Sequence, residues 1–154
     1  MDLTIDVEDY KLNVRAAAMI IHNNKLLVHQ NINHDHCNLI GGRVEIGEDS
    51  AKTIKREVKE ELGKDIDIIS YVSTIENFFE KDNKKYHEIL FIYKAEFKNE
   101  QDKKIEKPLE NIEGKDYLKY KWIDLNELDK VKILPTILKD VINSKSYPIH
   151  KIFK

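Results

Sequence analysis

The sequence predicts a single α/β domain in which a short charged helix packs on a β-sheet. Three features predict this fold: two apolar segments joined by Asn23-Asn24, an amphipathic segment that ends at Gly63, and a later segment of alternating residues at 87–97. At 154 residues the chain has the length of one domain and can bury a core. We therefore expect residues 1–154 to fold as one unit.

The first strand pair is expected at residues 14–22 and 25–30. The first of these segments is mostly apolar, as a buried strand is, and Asn23-Asn24 supplies the residues of a tight turn. We expect this hairpin to form the centre of the sheet. Residues 1–12 mix acidic and apolar residues without a clear period, so a short strand and a loose arm are both open there.

The helix is expected over residues 50–62. Asp49 or Ser50 supplies the side-chain oxygen that caps a helix N-terminus, and Gly63 is a typical left-handed C-terminal stop. Apolar residues recur at helical spacing between them, at Ala51, Ile54, Val58 and Leu62. With about 100° of rotation per residue, a neighbouring face carries three glutamates, Glu57, Glu60 and Glu61. Because such carboxylates repel each other without a cation, they predict a site for Mg²⁺ or Mn²⁺.

The remaining chain predicts further strands, a long polar loop and a terminal helix. Strands are expected at residues 39–40, 66–79, 87–97 and 118–123, and a helix from Pro135 to about Ser144. Glu88 shares a strand face with the apolar Leu90 and Ile92, which requires a polar partner, so a metal contact or a general-base role is open for it. The polar stretch 98–116 has the length of a functional or mobile loop.

Composition excludes several classes of function. A formal net charge of −2, with 35% charged residues of both signs, predicts no extended nucleic-acid binding. Cys37 is the only cysteine, so an intrachain disulfide is excluded, and stretch 34–37 lacks the second ligand pair of a structural zinc site. The N-terminus does not resemble a secretion signal, and no apolar run has the length of a membrane span. We expect a cytoplasmic protein without a membrane partner.

A spaced set of glycine, glutamate and arginine residues extends from Gly42 to Gly63. Five residues separate Gly42 from Glu48, and seven more precede Arg-Glu-Val-Lys-Glu-Glu-Leu-Gly at positions 56–63. This segment resembles the signature box of the Nudix hydrolases, with every glycine, glutamate and arginine at its spacing. The chain differs from the usual pattern at Lys64, where an aliphatic residue is common, and at Ile40, where a proline often precedes the glycine pair. Neither position carries chemistry.

The resemblance extends to most of the chain, because the strand with Trp122 and the terminal helix also fit the family. It implies an α/β/α sandwich with a central mixed sheet and the box helix packed on it. It also implies an Mg²⁺-dependent pyrophosphohydrolase, with Mn²⁺ as an alternative ion. The substrate would be a nucleoside diphosphate linked to another moiety, such as a nucleoside triphosphate or a nucleotide sugar.

The resemblance further implies a role for individual residues. The metal ligands that it implies are the carbonyl of Gly41 and the carboxylates of Glu57, Glu60 and Glu61. The structural positions of the box are Gly42, Glu48 and Gly63. The catalytic set is Arg56, which would hold Glu60, together with Glu57, Glu60 and Glu88. The general base is open among Glu57, Glu88, Glu113 and Asp116.

Two further properties of the family leave alternatives open. A nucleotide-sensing module without catalysis has the same fold, although such modules often lose box carboxylates that this chain retains. Relatives often dimerise, so a homodimer is open as well. Each alternative keeps a small-molecule nucleotide as the partner.

Overall fold

The chain forms one mixed β-sheet with a helix on each face. The computed structural model describes all residues, Met1–Lys154. The strands are β1 (Thr4–Val7), β2 (Tyr10–His22), β3 (Lys25–Asn31), β4 (Ile40–Arg43), β5 (Ile66–Lys81), β6 (Lys84–Phe97), β7 (Leu118–Asp124) and β8 (Ile149–Phe153). The helices are α1 (Ser50–Leu62) and α2 (Leu138–Asn143), with 3₁₀ helices at Glu100–Lys103 and Leu125–Lys130.

The sheet has the order β7-β3-β2-β6-β5-β8, and β1 and β4 also pair with β2. The β2–β6 and β5–β8 pairs are parallel and the others are antiparallel, so the expected mixed sheet is confirmed. Asn23 and Asn24 both have positive φ, which gives the turn a twist that suits a two-residue hairpin. The predicted hairpin of β2 and β3 is therefore present, but only β2 is central: the middle pair of the sheet is β2–β6, and β3 lies next to the edge strand β7.

Helix α1 forms where the sequence predicts it, because both of its ends are capped. The Asp49 side chain accepts a hydrogen bond from the Lys52 backbone N–H, and Gly63 ends the helix with a φ of 67°. Its buried apolar residues are Ile54, Val58 and Leu62, which pack on one face of the sheet. Burial of each such side chain stabilises the fold by about 2 kcal/mol.

Helix α2 covers the opposite face and completes the three layers. Its buried residues Leu138, Val141 and Ile142 belong to a second core cluster, so the expected α/β/α sandwich is confirmed. The sequence predicted that this helix begins at Pro135, but it begins at Leu138. The Leu138 backbone N–H donates to the Pro135 carbonyl at 2.9 Å, a hydrogen bond between residues three apart. Pro135 therefore lies in a turn before the helix.

Two strands lie outside the regular patterns of the sequence. β1 pairs with the start of β2, so the segment before residue 12 contains the short leading strand and is not a loose arm. β8 adds to the edge of β5 in parallel, although the sequence after residue 144 carries no clear signal. No helix of the chain is long and apolar enough to cross a membrane.

Candidate metal centre

The glycine pair lets strand β4 come close to both β2 and α1. A Cβ atom on Gly41 would lie 2.1 Å from the Ala16 carbonyl oxygen, inside the strand pairing. A Cβ atom on Gly42 would lie 2.1 Å from Glu57 Oε1, on the side of the helix. Each glycine therefore allows a contact that any side chain would block. Gly42 leaves the space that the Glu57 carboxylate fills.

Arg56 gathers three carboxylates of the box. Its Nε and Nη2 donate to the two oxygens of Glu48, each at 3.0 Å, in a bidentate arrangement. Its Nη1 donates to Glu57 Oε1 at 2.9 Å and to Glu60 Oε2 at 3.2 Å. Nη2 also donates to the Arg43 carbonyl, which ties the helix to β4. The predicted Arg56–Glu60 contact is present, but the bidentate partner is Glu48.

Glu48 is fully used inside the protein. Besides Arg56, its Oε2 accepts from the Thr53 hydroxyl at 2.8 Å and from the Glu45 backbone N–H at 3.3 Å. The Arg56 guanidinium lowers the pKa of Glu48 to about 2, although burial opposes this shift. Glu48 therefore stays ionised and braces the helix entrance, with both oxygens already engaged.

The Glu48→Gln substitution is expected to lower the free energy of unfolding by about 2 to 3 kcal/mol at neutral pH, because Arg56 loses its bidentate partner. The pKa of Glu48 lies below its ordinary value of 4.5 only in the folded state. This stabilisation is therefore complete above about pH 4.5 and is lost as the pH falls towards 2. Urea unfolding should show that the difference in the free energy of unfolding between wild type and Glu48→Gln at pH 3 is less than half of its value at pH 7.

The Glu127→Gln protein is the control for this comparison, because Glu127 forms only an exposed ion pair with Lys130. A difference between wild type and Glu48→Gln that stays constant from pH 7 to pH 3 would contradict the role of Glu48.

Glu57 and Glu60 lie beside Arg56 on the same side of the helix. Burial raises the pKa of Glu57, and the charges of Glu61 and Glu60 act in the same direction, while Arg56 opposes them. Glu60 is exposed. A cation at this position would relieve the repulsion among the carboxylates.

Glu61 is 4% exposed and has partners of its own. Its Oε2 accepts from the Tyr120 hydroxyl at 2.9 Å, and His29 Nδ1 lies 3.3 Å from the same oxygen. His29 and Tyr120 are directly opposite each other on β3 and β7. The sequence analysis missed both residues, because only the pairing of two distant strands brings them to the helix.

The donor set fits a divalent metal in its chemistry. One oxygen of each of the three glutamates, namely Glu57 Oε2, Glu60 Oε1 and Glu61 Oε1, makes no hydrogen bond within the protein. Hard oxygen donors of this kind suit Mg²⁺ or Mn²⁺. No three His, Cys, Asp or Glu side chains are gathered closely enough to hold an ion as they stand. Arg56 holds one oxygen each of Glu57 and Glu60, so metal binding requires those two carboxylates to turn.

Glu88 has its contacts away from this cluster. It is 5% exposed, and its Oε1 accepts from Asn77 Nδ2 at 3.3 Å, while Arg15 Nη1 lies 3.9 Å from its Oε2. Its strand face also carries Leu90 and Ile92, which belong to the core cluster under α2. The polar partner expected for this buried carboxylate is thus Asn77, and no hydrogen bond or ion pair joins Glu88 to the box.

Glu113 and Asp116 lie on the segment before β7. Glu113 forms an ion pair with Lys115 at 2.7 Å, and Asp116 is exposed. The Ile112 backbone N–H donates to the Glu61 carbonyl at 2.8 Å, which attaches this segment to the C-terminal end of α1. Glu113 therefore follows directly after a residue bound to the box helix.

Comparison with known proteins agrees with this geometry. The family model described as NUDIX domain matches residues 12–143. Among solved structures, a MutT NUDIX hydrolase from Burkholderia pseudomallei is 20% identical with a TM-score of 0.65, over 83% of this chain and 95% of the other. An ADP-ribose pyrophosphatase from Streptococcus suis is 14% identical with a TM-score of 0.59, over 91% and 98%. A search of curated proteins finds no significant match.

A UDP-X diphosphatase is also similar, with 17% identity and a TM-score of 0.60. The match covers 84% of this chain but only 59% of that protein. At these identities the likeness shows a shared fold. The family model spans most of the sequence and includes the whole box. The chain therefore belongs to the NUDIX domain family and is a hydrolase that acts on pyrophosphate bonds.

Proposed function

We propose that this hydrolase is a metal-dependent pyrophosphohydrolase that uses Mg²⁺, or Mn²⁺ in its place, and cleaves a nucleoside diphosphate linked to another moiety. The observation that carries the proposal is the set of three box glutamates, each with one oxygen free of protein hydrogen bonds. The names of two structural neighbours, a UDP-X diphosphatase and an ADP-ribose pyrophosphatase, describe enzymes of this substrate type. Nucleoside triphosphates and nucleotide sugars are the substrate classes to test.

The proposed ligands are Glu57, Glu60, Glu61 and the Gly41 carbonyl. A bound divalent ion would neutralise the diphosphate charge and acidify the attacking water. Arg56 keeps Glu57 and Glu60 on one side of the helix and balances part of their charge. Glu48 in turn holds Arg56 through an ion pair.

Glu57 is the first candidate for the proton acceptor. Burial raises the pKa of its carboxyl group, and a raised pKa brings a carboxylate closer to the range in which general bases work. Because Arg56 holds Oε1, Glu57 would accept the proton on Oε2, and in that role Oε2 would take the proton in place of the ion. The competing candidates are Glu88, Glu113 and Asp116.

The proposal also includes a cytoplasmic location. Dimer formation stays a prediction, which size-exclusion measurements would test.

A substrate panel tests the proposal directly. We would measure release of phosphate and nucleoside monophosphate from dNTPs, oxidised dGTP, ADP-ribose, nucleotide sugars and dinucleoside polyphosphates, with Mg²⁺, with Mn²⁺ and with EDTA. We expect turnover of one class that requires the metal and is absent from the Glu61→Gln protein. Binding of a nucleotide without turnover of any class would contradict the proposal and favour a sensing module.

A further inference from the structure

The segment between the first 3₁₀ helix and β7, which we call the 104–117 loop, is attached to α1 at Glu61. The Ile112 backbone N–H donates to the Glu61 carbonyl at 2.8 Å. Asn111 Nδ2 donates to the Tyr120 hydroxyl at 3.0 Å, and that hydroxyl lies 2.9 Å from Glu61 Oε2. Glu61 thus supplies a proposed metal ligand, and it is joined to the loop directly through its backbone carbonyl and indirectly, by way of Tyr120, through its side chain.

The direction of these hydrogen bonds is fixed by the loop itself. Asn111 Oδ1 accepts from the backbone N–H groups of Glu113 and Lys115, at 2.9 and 3.0 Å, so its Nδ2 faces Tyr120 and can only donate. The Tyr120 hydroxyl has one proton. Because it accepts from Asn111, it donates that proton to Glu61.

This donation leaves the Glu61 carboxylate in a defined orientation. Oε2 is held by Tyr120, and His29 Nδ1 lies 3.3 Å from the same atom. Oε1 makes no hydrogen bond within the protein. A carboxylate held by one oxygen presents the other in a fixed direction. Loss of a residue that hydrogen-bonds a metal ligand commonly weakens metal binding by about 10- to 100-fold.

We propose that Tyr120 is a positioning residue that presents Glu61 to the metal and couples metal binding to the attachment of the 104–117 loop. This inference rests on the proposed metal site. An attached loop holds Glu61 ready for the metal and so strengthens metal binding, and by thermodynamic reciprocity a bound metal strengthens the attachment of the loop by the same factor. The loop also carries two of the acidic candidates, Glu113 and Asp116.

The Tyr120→Phe protein tests this coupling without relying on activity. We expect it to bind Mn²⁺ about 10-fold more weakly than wild type, as measured by electron paramagnetic resonance titration. We also expect faster trypsin cleavage after Lys104 and Lys115, and a loss of the protection that Mn²⁺ gives the wild-type loop. The removed hydroxyl is the only chemical change, so circular dichroism should be unchanged.

Tyr93→Phe is the matched control. The Tyr93 hydroxyl is 2.8 Å from Ser50 Oγ, at the opposite end of the same helix, so its loss removes an equivalent hydrogen bond away from Glu61. We expect Mn²⁺ affinity and loop cleavage of this protein to equal those of wild type. Equal Mn²⁺ affinity in Tyr120→Phe and Tyr93→Phe would overturn the inference.

Asn111→Ala provides a second variant that leaves Tyr120 and the Glu61 carboxylate in place. It should increase loop cleavage and reduce Mn²⁺ affinity less than Tyr120→Phe does. Loop cleavage that rises without any change in Mn²⁺ affinity would overturn the coupling. Absence of Mn²⁺ binding by the wild-type protein would instead overturn the proposed function, so the two failures are distinguishable.

Discussion

The Glu57→Gln and Glu61→Gln proteins are expected to lose about 10³-fold in kcat, because each loses a negative charge that the proposed ion needs, an effect of several kcal/mol. Glutamine has nearly the same shape as glutamate, and residue 61 would still accept from the Tyr120 hydroxyl. Thermal melting should therefore change little. Initial rates on the substrate found in the panel, at saturating Mg²⁺, measure the effect.

Other carboxylates supply the controls and identify the proton acceptor. Glu127→Gln removes a charge in an exposed ion pair with Lys130 and should keep full activity. Glu88→Gln, Glu113→Gln and Asp116→Asn each test one competing base, and a loss of 10²-fold or more, on the order typical of general-base catalysis, would identify that residue. Near-normal turnover in both Glu57→Gln and Glu61→Gln would overturn the assignment of the site.

Substitution of the two neighbouring glycines is expected to separate an effect on stability, at Gly41, from an effect on activity, at Gly42. In Gly41→Ala the new Cβ meets backbone atoms of β2, the Ala16 carbonyl oxygen at 2.1 Å and Ala17 Cα at 2.7 Å. Unlike the end of a flexible side chain, these backbone atoms cannot rotate away from the new Cβ. We therefore expect a loss of more than about 3 kcal/mol in the free energy of unfolding. In Gly42→Ala the three atoms nearest to the new Cβ all belong to the Glu57 carboxylate, which can rotate away.

Gly42→Ala should therefore fold with a loss of about 1 to 2 kcal/mol but should lose activity much as Glu57→Gln does, because the carboxylate is displaced. Urea unfolding and initial rates of both alanine proteins measure the contrast. Gly47→Ala is the control for a glycine-to-alanine change without a steric clash, because a Cβ there meets no atom within 4 Å. The φ of 85° at this position adds some backbone strain. Full activity in Gly42→Ala would show that Glu57 is not needed where the structure places it.

The sequence was sufficient for the elements that local chemistry specifies. Helix α1, with Asp49 and Gly63 at its ends, follows from capping oxygens, helical spacing and a left-handed stop, all within a few residues of each other. The β2–β3 hairpin follows in the same way from Asn23-Asn24. The family follows from the spacing of the box. These signals require no knowledge of distant parts of the chain.

The partners of the site residues were not predictable in this way. The sequence placed Glu57, Glu60 and Glu61 on one helix face and predicted the contact of Arg56 with Glu60. It did not predict that Arg56 would also hold Glu57 or that Tyr120 would hold Glu61. It also left Glu88 as a possible member of the site, whereas β-strand alternation and sheet pairing give that residue Asn77 as its partner.

By itself, the sequence determined the box and its helix, and it predicted a site for a divalent metal. Only the tertiary structure decided which oxygens are left free and what attaches the 104–117 loop to Glu61. The physical reason is the range of the interactions involved. Capping and helical spacing act between neighbours in the chain, whereas the contact of Tyr120 with Glu61 joins residues 59 positions apart. Such a contact exists only after β3 and β7 have paired beside the helix.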